Sequence, residues 1–390
     1  MQRALLMVCD SWGVGDAPDA AAYADAGSDT LGNTSRAVGG FRVPNLEGLG
    51  IGCLTAIAGV SARAEPGSAH GRATESSAGK DTTTGHWEMM GIRLDHPFPL
   101  YPSGFPPEII EPFEAEIGKR VLGNVPASGT EIIAELGDEH VRTGRPIVYT
   151  SGDSVFQIAC HKDVVPLPTL YEWCRSARRL LTGTHTVGRV IARPFDGSSG
   201  SYVRSPERRD FAVPPPGPTV LDYLCEAGVQ VYSVGKIRDI FSGQGITEAR
   251  YSDSNDHGID LTLDYLRRPG PAFVFSNLVD FDSKYGHRND PHGYAKAVEA
   301  FDARLPELFD ALQGGLLFIT GDHGCDPTTP STDHSRERTP LLAAGLVGGP
   351  RDIGTRETFG DLGCTIAEIF AVEVEGLVGK SFLDVLVETA

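Results

Sequence analysis

The most regular feature of the chain is a set of short apolar runs, each of which ends at an aspartate. The runs are residues 4–9 before Asp10, residues 272–279 before Asp280 and Asp282, and residues 316–320 before Asp322. Unbroken hydrophobicity, rather than alternation, is typical of strands that are buried on both faces of a parallel sheet. The pattern therefore predicts three strands of such a sheet, and further runs at 229–234 and 341–344 predict two more.

Between the second and third runs, apolar residues recur with the 3.6-residue period of an α-helix. They are Tyr294, Ala297, Val298, Phe301, Leu305, Leu308, Phe309 and Leu312. Strand, helix and strand make a βαβ unit, so the order of elements predicts an α/β fold with a mainly parallel sheet between helices. In such folds ligands bind at the carboxyl ends of the strands, which is where the aspartates lie.

Two proline-rich segments, residues 96–99 and 214–218, divide the chain. Stiff segments of this kind are typical of hinges between domains. The part between them has strand patterns of its own, at 147–150 and 187–192, a helical stretch around 170–181, and a concentration of arginine. We therefore expect an inserted α+β cap domain at 97–214 and a catalytic core made of residues 1–96 and 215–390.

Composition restricts the partners and the compartment. A formal net charge of −18 argues against nucleic acid or an anionic membrane as a partner, because both attract basic proteins. The apolar start of the chain is too short to span a bilayer and lacks the features of a signal peptide. Seven scattered cysteines without a C-x-x-C pair favour a reducing cytoplasm over a disulfide framework. No exposed apolar helix pattern stands out, which favours a monomer.

Six side chains that follow the predicted strands are candidate metal ligands. They are Asp10, Asp282, His287, Asp322, His323 and His334. A single aspartate after a strand is usually a turn former or a helix cap. The set is different, because the ends of parallel strands meet at one edge of a sheet and would bring these side chains together. Carboxylate and imidazole without thiolate select manganese, magnesium or zinc.

The local spacing adds detail to this candidate site. Between Asp282 and His287 the chain has room to turn back, so that both side chains face one ion. Adjacent residues alternate in a regular strand, so Asp322 and His323 can share an ion only beyond the strand. Gly321 and Gly324 flank that pair, and we expect their conformational freedom to permit the geometry.

A second candidate is the hydroxyl-rich segment 74–88. By itself such a segment is typical of a polar surface loop. A hydroxyl needs a metal or a base to become a nucleophile, so a threonine loop gains meaning beside a metal cluster. The glycine spacing is not that of a P-loop. The two candidates together indicate phosphoryl transfer assisted by divalent cations.

These segments resemble those of the prokaryotic phosphopentomutases, which belong to the alkaline phosphatase superfamily. The resemblance covers residues 8–19, Gly79-Lys80-Asp81-Thr82-Thr83-Thr84-Gly85-His86-Trp87-Glu88, and residues 126–132, 148–155, 188–195, 277–288 and 322–334. With residues 379–383 it extends over nearly the whole chain. It implies an alkaline-phosphatase-like core with a cap. It also implies reversible transfer of phosphate between C1 and C5 of ribose or 2-deoxyribose, in nucleoside catabolism, with a sugar bisphosphate as activator.

By motif match, the resemblance also implies a role for each site residue. One manganese ion would be held by Asp10, Asp322 and His323, and a second by Asp282, His287 and His334, with magnesium or another divalent ion as an alternative. Thr82 would be the phosphorylated residue and would bridge the two ions. Pentose phosphate would be bound by Ser151, Asp153, Arg189, Ile191 and Arg204 in the cap and by Lys236 in the core.

Two other interpretations stay open. One is a different enzyme on the same core, either a metal-dependent phosphomonoesterase or a phosphoglycerate mutase-like enzyme, and the other is a non-catalytic phosphosugar-binding protein. A threonine rather than a serine nucleophile, and an insert of this size, favour the pentomutase. The chain departs from the family pattern at Trp12, Gly152, Gly321 and Cys325. None of these is an implied ligand, although Cys325 lies beside the metal loop and bears on metal preference and oxidation.

Overall fold

The structure is a computed structural model, and it describes residues 3–63, 65–151, 154–312, 314–345 and 351–387. The chain divides into two compact units. Unit 1 combines Met1–His96 with Pro215–Ala390, and unit 2 is Pro97–Pro214. Each unit has its own sheet and its own apolar core. The roles of catalytic core and cap stay predictions for these units.

Strands and helices alternate along much of the chain. The strands are β1 (Arg3–Cys9), β2 (Ala69–Ala73), β3 (Leu122–Pro126), β4 (Ile147–Thr150), β5 (Val155–His161), β6 (Arg189–Asp196), β7 (Val203–Arg204), β8 (Arg209–Ala212), β9 (Gln230–Val234), β10 (Glu248–Arg250), β11 (Ala272–Leu278), β12 (Leu316–Thr320), β13 (Thr339–Ala344) and β14 (Arg351–Arg356).

The α-helices are α1 (Thr30–Val38), α2 (Pro44–Leu49), α3 (Thr82–Met89), α4 (Pro107–Ile117), α5 (Gly129–Thr143), α6 (Leu167–Leu180), α7 (Val220–Glu226), α8 (Ile237–Ile240), α9 (Asn255–Leu266), α10 (Pro291–Leu312), α11 (Gly360–Ile369) and α12 (Leu383–Leu386). Short 3-10 helices occur at Ala20–Tyr23, Ile51–Cys53, Gly183–His185 and Gly286–Arg288. A π-helical turn occupies Phe281–Tyr285, directly before the last of these.

Unit 1 is built on an eight-stranded sheet in the order β10-β9-β11-β1-β12-β13-β2-β14. The strands from β10 to β12 are parallel to one another, and β2 pairs in parallel with β14. Strand β13 is antiparallel to both of its neighbours, β12 and β2. Among the described strands of this sheet, β13 is therefore the one that is antiparallel to all the others. The predicted α/β class with a mainly parallel sheet is confirmed.

The central strands are buried on both faces, as their unbroken hydrophobicity predicts. All of residues 4–9 in β1 are fully buried, and successive side chains in a strand point to opposite faces. Helices α1, α2, α9 and α10 cover the face that carries Leu5 and Met7. Helices α3, α7, α8 and α11 pack against one another, and Phe241, which follows α8, contacts Phe275 on the opposite face.

Helix α10 contains the predicted apolar stripe. Tyr294, Val298, Phe301, Leu305 and Leu308 are buried against the sheet, and only part of the stripe reaches solvent. Its 3.6-residue repeat therefore has a tertiary cause, since one face of the helix covers the core. Neither α10 nor any other helix in the described ranges has the length and apolar character needed to span a bilayer.

Unit 2 has a smaller, mixed sheet in the order β3-β4-β5-β6-β7, and β8 also pairs with β6. Two pairs are parallel, β3 with β4 and β5 with β6, and the other pairs are antiparallel. Helices α4 and α6 pack on one apolar cluster, while α5 packs on another. This arrangement is of the α+β type that the sequence predicts for these residues.

Candidate metal centre

Three aspartates meet at the carboxyl edge of the unit 1 sheet. Asp10 directly follows β1, Asp322 lies two residues beyond β12, and Asp282 lies in the π-helical turn beyond β11. Strand β1 lies between β11 and β12 and runs parallel to both. The ends of the three strands therefore bring these side chains together. All three carboxylates are buried, so each needs a compensating positive charge or a set of hydrogen bonds.

The first group of candidate ligands is Asp10, Asp322 and His323. One ligand atom from each residue lies within 4.8 Å of the other two. His323 Nε2 is 3.3 Å from Asp322 Oδ2 and 3.5 Å from Asp10 Oδ1. Two carboxylates and one imidazole, all buried, are a donor set that suits a divalent cation.

The second group is Asp282, His287 and His334. Asp282 Oδ1 is 3.3 Å from His287 Nε2 and 3.5 Å from His334 Nε2. The two imidazole Nε2 atoms are 3.2 Å apart. Cys325 Sγ also lies within 4.8 Å of ligand atoms of Asp282 and His287. The structure therefore brings a sulfur atom next to the carboxylate and imidazole donors of this half of the centre.

All three histidines present the same ring nitrogen, Nε2, to the centre. The other nitrogen, Nδ1, lies between 2.6 and 3.0 Å from a backbone carbonyl oxygen in every case. The pairs are His287 with Thr332, His323 with Gly324, and His334 with Lys80. A carbonyl oxygen only accepts, so each Nδ1 carries a proton and each Nε2 is the nitrogen that faces the centre, able to bind a cation when it is unprotonated. Metal-binding histidines are held in this way by their second nitrogen.

The centre is short of hydrogen-bond donors. Within the described part of the chain, Asp10 Oδ1, Asp282 Oδ1 and Asp322 Oδ2 are buried without a hydrogen-bond partner. Burial, together with the charge of Asp322, raises the pKa of Asp10 to about 7. The residues therefore fit divalent cations, one at each group.

Thr82 is the first residue of α3 and lies beside the first group. Its Oγ1 is 3.1 Å from His323 Nε2. Asp81 caps the helix, because its Oδ1 accepts hydrogen bonds from the backbone N–H groups of Thr83 and Thr84 at 3.0 and 3.1 Å. A helix N-terminus carries a partial positive charge that favours a phosphate group. A phosphoryl group on Thr82 would thus be stabilised by the helix as well as by cations.

Arg336 anchors the loop that leads to Thr82. It is buried, and it donates to the Glu75 carboxylate at 2.7 Å, to the Glu75 carbonyl at 2.8 Å and to the Gly79 carbonyl. Asp19 accepts a further hydrogen bond at 3.1 Å. Breaking a buried pair of this kind leaves a charge without a partner, which costs about 3–5 kcal/mol. The position of the loop is therefore strongly determined.

At two positions in the centre, backbone segments lie so close together that only glycine fits. A Cβ atom on Gly321 would lie 2.2 Å from the Trp12 carbonyl oxygen, and one on Gly85 would lie 2.2 Å from that of Asp322. Neither Gly321 nor Gly324 has a positive φ, so the freedom expected of these glycines is not used as a left-handed backbone conformation. Gly321 instead allows the segment beyond β12 to pack against the backbone beyond β1, and Gly85 lets α3 approach the metal loop.

Two residues that the sequence analysis did not assign also contact the ligands. Asn277 Nδ2 donates to Asp10 Oδ2 at 3.2 Å. His86 Nδ1 is 2.9 Å from the Thr82 carbonyl oxygen and 3.2 Å from Asp322 Oδ2. His86 follows Thr82 by four residues on a helix, a spacing that puts both on one face. The sequence could therefore have predicted that these two residues lie close together. No sequence pattern predicts the contact of Asn277, because this residue lies inside an apolar strand.

The predicted substrate contacts lie in both units. In unit 1, Lys236 Nζ is 3.4 Å from Asp10 Oδ2, so it adds a positive charge to the centre. In unit 2, Arg189 and Ile191 share one side of β6, since alternate residues of a strand do so. Arg204 in β7 donates to Thr130 Oγ1. Ser151 follows β4 directly, while Asp153 lies outside the described residues.

Comparison with known proteins agrees with this chemistry. The model of the metalloenzyme superfamily matches residues 2–374. The phosphopentomutase of Kosmotoga olearia is 58% identical over 374 residues, covering 95% of this chain and 96% of its own. The phosphopentomutase of Anaeromyxobacter dehalogenans strain 2CP-C is 59% identical over 384 residues, covering 98% of this chain and 97% of its own.

Two solved structures are similar in fold at much lower identity. The PH0037 protein from Pyrococcus horikoshii gives a TM-score of 0.51 with 14% identity, covering 97% of this chain and 99% of that chain. Phosphoglycerate mutase from Leishmania mexicana gives a TM-score of 0.50 with 12% identity, covering 97% of each chain. At these identities the likeness shows a common fold and nothing about the reaction.

Proposed function

This chain belongs to the phosphopentomutase family, and we propose that it moves phosphate between C1 and C5 of ribose or 2-deoxyribose by way of a phosphorylated Thr82. Membership of the family makes it an intramolecular phosphotransferase of the isomerase class. The observation that carries the proposal is the 3.1 Å approach of Thr82 Oγ1 to His323 Nε2. This contact places the candidate nucleophile, which is the first residue of α3, next to the candidate metal ligands.

In the proposed reaction, Thr82 begins each cycle with a phosphoryl group on Oγ1. The free hydroxyl oxygen of a pentose monophosphate attacks phosphorus, the bond from phosphorus to Thr82 Oγ1 breaks, and the sugar hydroxyl loses its proton. The product of this half-reaction is a pentose bisphosphate. After the bisphosphate has turned round, Thr82 Oγ1 attacks its other phosphorus. The sugar oxygen that leaves takes up a proton, so the net reaction is an isomerisation.

The residues around Thr82 each support one part of this cycle. The N-terminus of α3 favours the negative charge of the phosphothreonine. Asp81 holds the first turn of that helix, and His86 donates to the Thr82 carbonyl. Lys236 contributes a positive charge beside Asp10. These contacts restrict the position of Thr82 Oγ1, the oxygen that gives and receives the phosphoryl group. A restricted position favours in-line transfer.

We assign one ion to Asp10, Asp322 and His323, and a second ion to Asp282, His287 and His334. When bound there, two divalent cations would offset the charge that builds up on the phosphoryl oxygens during transfer. A phosphothreonine carries about −1.5 to −2 charges at neutral pH, and the centre already holds three carboxylates. Their oxygens and the imidazole nitrogens suit manganese, with magnesium as an alternative.

The remaining assignments rest on the family and on local chemistry. Arg189, Arg204 and Lys236 are suited to phosphate oxygens, and Ser151, Asp153 and Ile191 would complete the sugar-phosphate contacts. A pentose bisphosphate would act as activator, because it can phosphorylate an empty Thr82. All seven cysteines are free thiols in the structure, which supports a reducing cytoplasm as the compartment. The monomeric state stays a prediction.

The proposal is tested with Thr82→Ala and Thr83→Ala proteins. Thr83 is the next residue on the same helix turn and serves as the matched control. Each protein is incubated with manganese and ribose 5-phosphate, and ribose 1-phosphate and free phosphate are measured together. We expect isomerisation with little phosphate release in the wild type and in Thr83→Ala. We expect no isomerisation in Thr82→Ala, although its bound manganese should be nearly unchanged.

A phosphopeptide measurement adds a direct readout. After incubation with ribose 1,5-bisphosphate, the peptide that contains residues 80–88 should carry one phosphoryl group in the wild type and in Thr83→Ala, and none in Thr82→Ala. Near-normal turnover of Thr82→Ala would exclude the phosphothreonine route. Dominant release of free phosphate by the wild type would instead favour a phosphomonoesterase.

A further inference from the structure

We propose that Cys325 Sγ is an additional ligand of the second cation site, and that it shifts this site towards thiophilic ions such as zinc and cadmium. The inference rests on the proposed function only in placing an ion at Asp282 and His287. It goes beyond that function by assigning a metal preference to a residue outside the six proposed ligands.

The first support is geometric. The sulfur atom, a carboxylate oxygen of Asp282 and a ring nitrogen of His287 all lie within 4.8 Å of one another. The sulfur also packs against the backbone that leads to His287, because a Cβ atom built on Gly286 would lie 2.9 Å from it. Zinc forms bonds of about 2.0–2.3 Å to nitrogen, oxygen and sulfur, and this proximity makes the three atoms candidate ligands of one ion.

The second support is an unsatisfied acceptor at the same place. Asp282 is 3% exposed, and within the described residues its Oδ1 has no hydrogen-bond partner. Cys325 is itself 1% exposed. Its Sγ lies 3.6 Å from the Asp333 carbonyl oxygen, the range of a weak hydrogen bond. A buried carboxylate without a donor and a buried sulfur without a strong partner are the groups that a cation would satisfy together.

The expected preference follows from the softness of sulfur. Carboxylate and imidazole alone accept manganese, whereas a thiolate strongly favours zinc and cadmium over manganese and magnesium. The thiol loses its proton to solvent when it binds the metal. The first group, Asp10, Asp322 and His323, contains no sulfur. The two ions of one centre are therefore expected to differ in how easily a thiophilic metal displaces them.

The test follows metals rather than turnover. Cadmium is added to the manganese-loaded full-length protein, and two signals are recorded. One is the near-ultraviolet charge-transfer absorption of a cadmium–thiolate bond, and the other is the electron paramagnetic resonance of released manganese. Cys325→Ser and Cys325→Ala remove the sulfur. Cys53→Ser is the matched control, because Cys53 is a partly exposed thiol in unit 1, outside the metal centre.

We expect the wild type and Cys53→Ser to show the absorption during the first equivalent of cadmium, with release of one manganese. The Cys325 variants should lack the absorption and should require at least about tenfold more cadmium to release manganese, since loss of even an outer-shell partner lowers metal affinity by about 10–100-fold. Equal absorption and equal release in Cys325→Ser would overturn the inference. If cadmium releases no manganese from the wild type, the inference is overturned as well. If the manganese-loaded protein holds fewer than two manganese ions before cadmium is added, the assignment of the second ion fails instead, which is a distinguishable result.

X-ray absorption of the cadmium-loaded wild type gives an answer that does not depend on how the variants fold. One sulfur in the first coordination shell at one equivalent of cadmium supports the inference. A shell of oxygen and nitrogen alone overturns it.

Discussion

The contact between helix α3 and the metal loop leads to a prediction for Gly85→Ala. A Cβ atom at this position would lie 2.2 Å from the Asp322 carbonyl oxygen and 3.2 Å from its Cβ. To restore even a 3.0 Å contact, the helix and the loop must separate by at least 0.8 Å. Because Thr82 is in the first turn of that helix and Asp322 is a proposed ligand, the separation displaces the nucleophile from the ions.

The size of the effect can be worked out from this displacement. A misplacement near 1 Å costs about 10²-fold in rate, so we expect kcat to fall about a hundredfold while KM changes little. Overpacking costs about 1–3 kcal/mol, whereas alanine stabilises a helix by about 1 kcal/mol relative to glycine. We therefore expect a net loss of stability of up to about 2 kcal/mol.

The assays are steady-state isomerisation of ribose 5-phosphate and urea denaturation. Gly48→Ala is the matched control, because Gly48 also lies in a helix, α2, but a Cβ atom there would contact nothing within 4 Å. It should keep full activity and become more stable by about 0.5–1 kcal/mol. If Gly85→Ala behaves like this control in both assays, the close approach is not what positions Thr82.

Two further predictions concern buried carboxylates. Burial raises the pKa of Glu337 to about 8, against the effect of hydrogen bonds from Thr30 and Ser335. The pKa of Glu337 in the folded protein thus lies above its value in the unfolded chain. The free energy of unfolding of the wild type should therefore decrease as the pH rises from about 5 to about 8, by up to about 1.4 kcal/mol per pH unit. Urea denaturation of Glu337→Gln over this range should show a flatter profile, and an unchanged slope would contradict the assignment. For Asp10→Asn, removal of a buried charge should make the chelator-treated protein more stable than metal-free wild type at pH 8 by at least about 1 kcal/mol. With manganese the order should reverse, as measured by the melting temperature of both forms, and a variant that is less stable in both conditions would argue against charge repulsion in the empty centre.

The centre links catalysis to a local cost in stability. Three buried carboxylates converge here, and within the described residues one oxygen of each has no hydrogen-bond partner. The metal-free fold therefore contains unfavourable charge repulsion, chiefly between Asp10 and Asp322. The network of Arg336 with Glu75 and Asp19 holds the adjacent loop in place against that repulsion. A site of this kind binds cations because the protein has already brought the ligands together, and the fold has to supply stability elsewhere.

The parts of the fold that could be predicted are those with a local signal. The strands at β1, β11 and β12 were visible because burial on both faces requires every side chain to be apolar. Helix α10 was visible because one face covers the core. Strand β2, with the sequence Ala-His-Gly-Arg-Ala, carries no apolar run. It pairs with β13 and β14 through its backbone, so no sequence pattern predicts this strand. The antiparallel direction of β13 likewise has no pattern in the sequence that would predict it.

The sequence by itself determined which residue types follow the strands, and it placed Asp10, Asp282 and Asp322 at chain positions that a parallel sheet would unite. It did not determine that β1 lies between β11 and β12, that Asn277 contacts Asp10, or that the sulfur of Cys325 lies next to Asp282 and His287. Those contacts connect residues that are far apart in sequence, and they depend on the strand order, on space left by Gly85 and Gly321, and on side-chain packing. Only the folded chain sets these, because each results from many weak contacts acting together rather than from a local pattern.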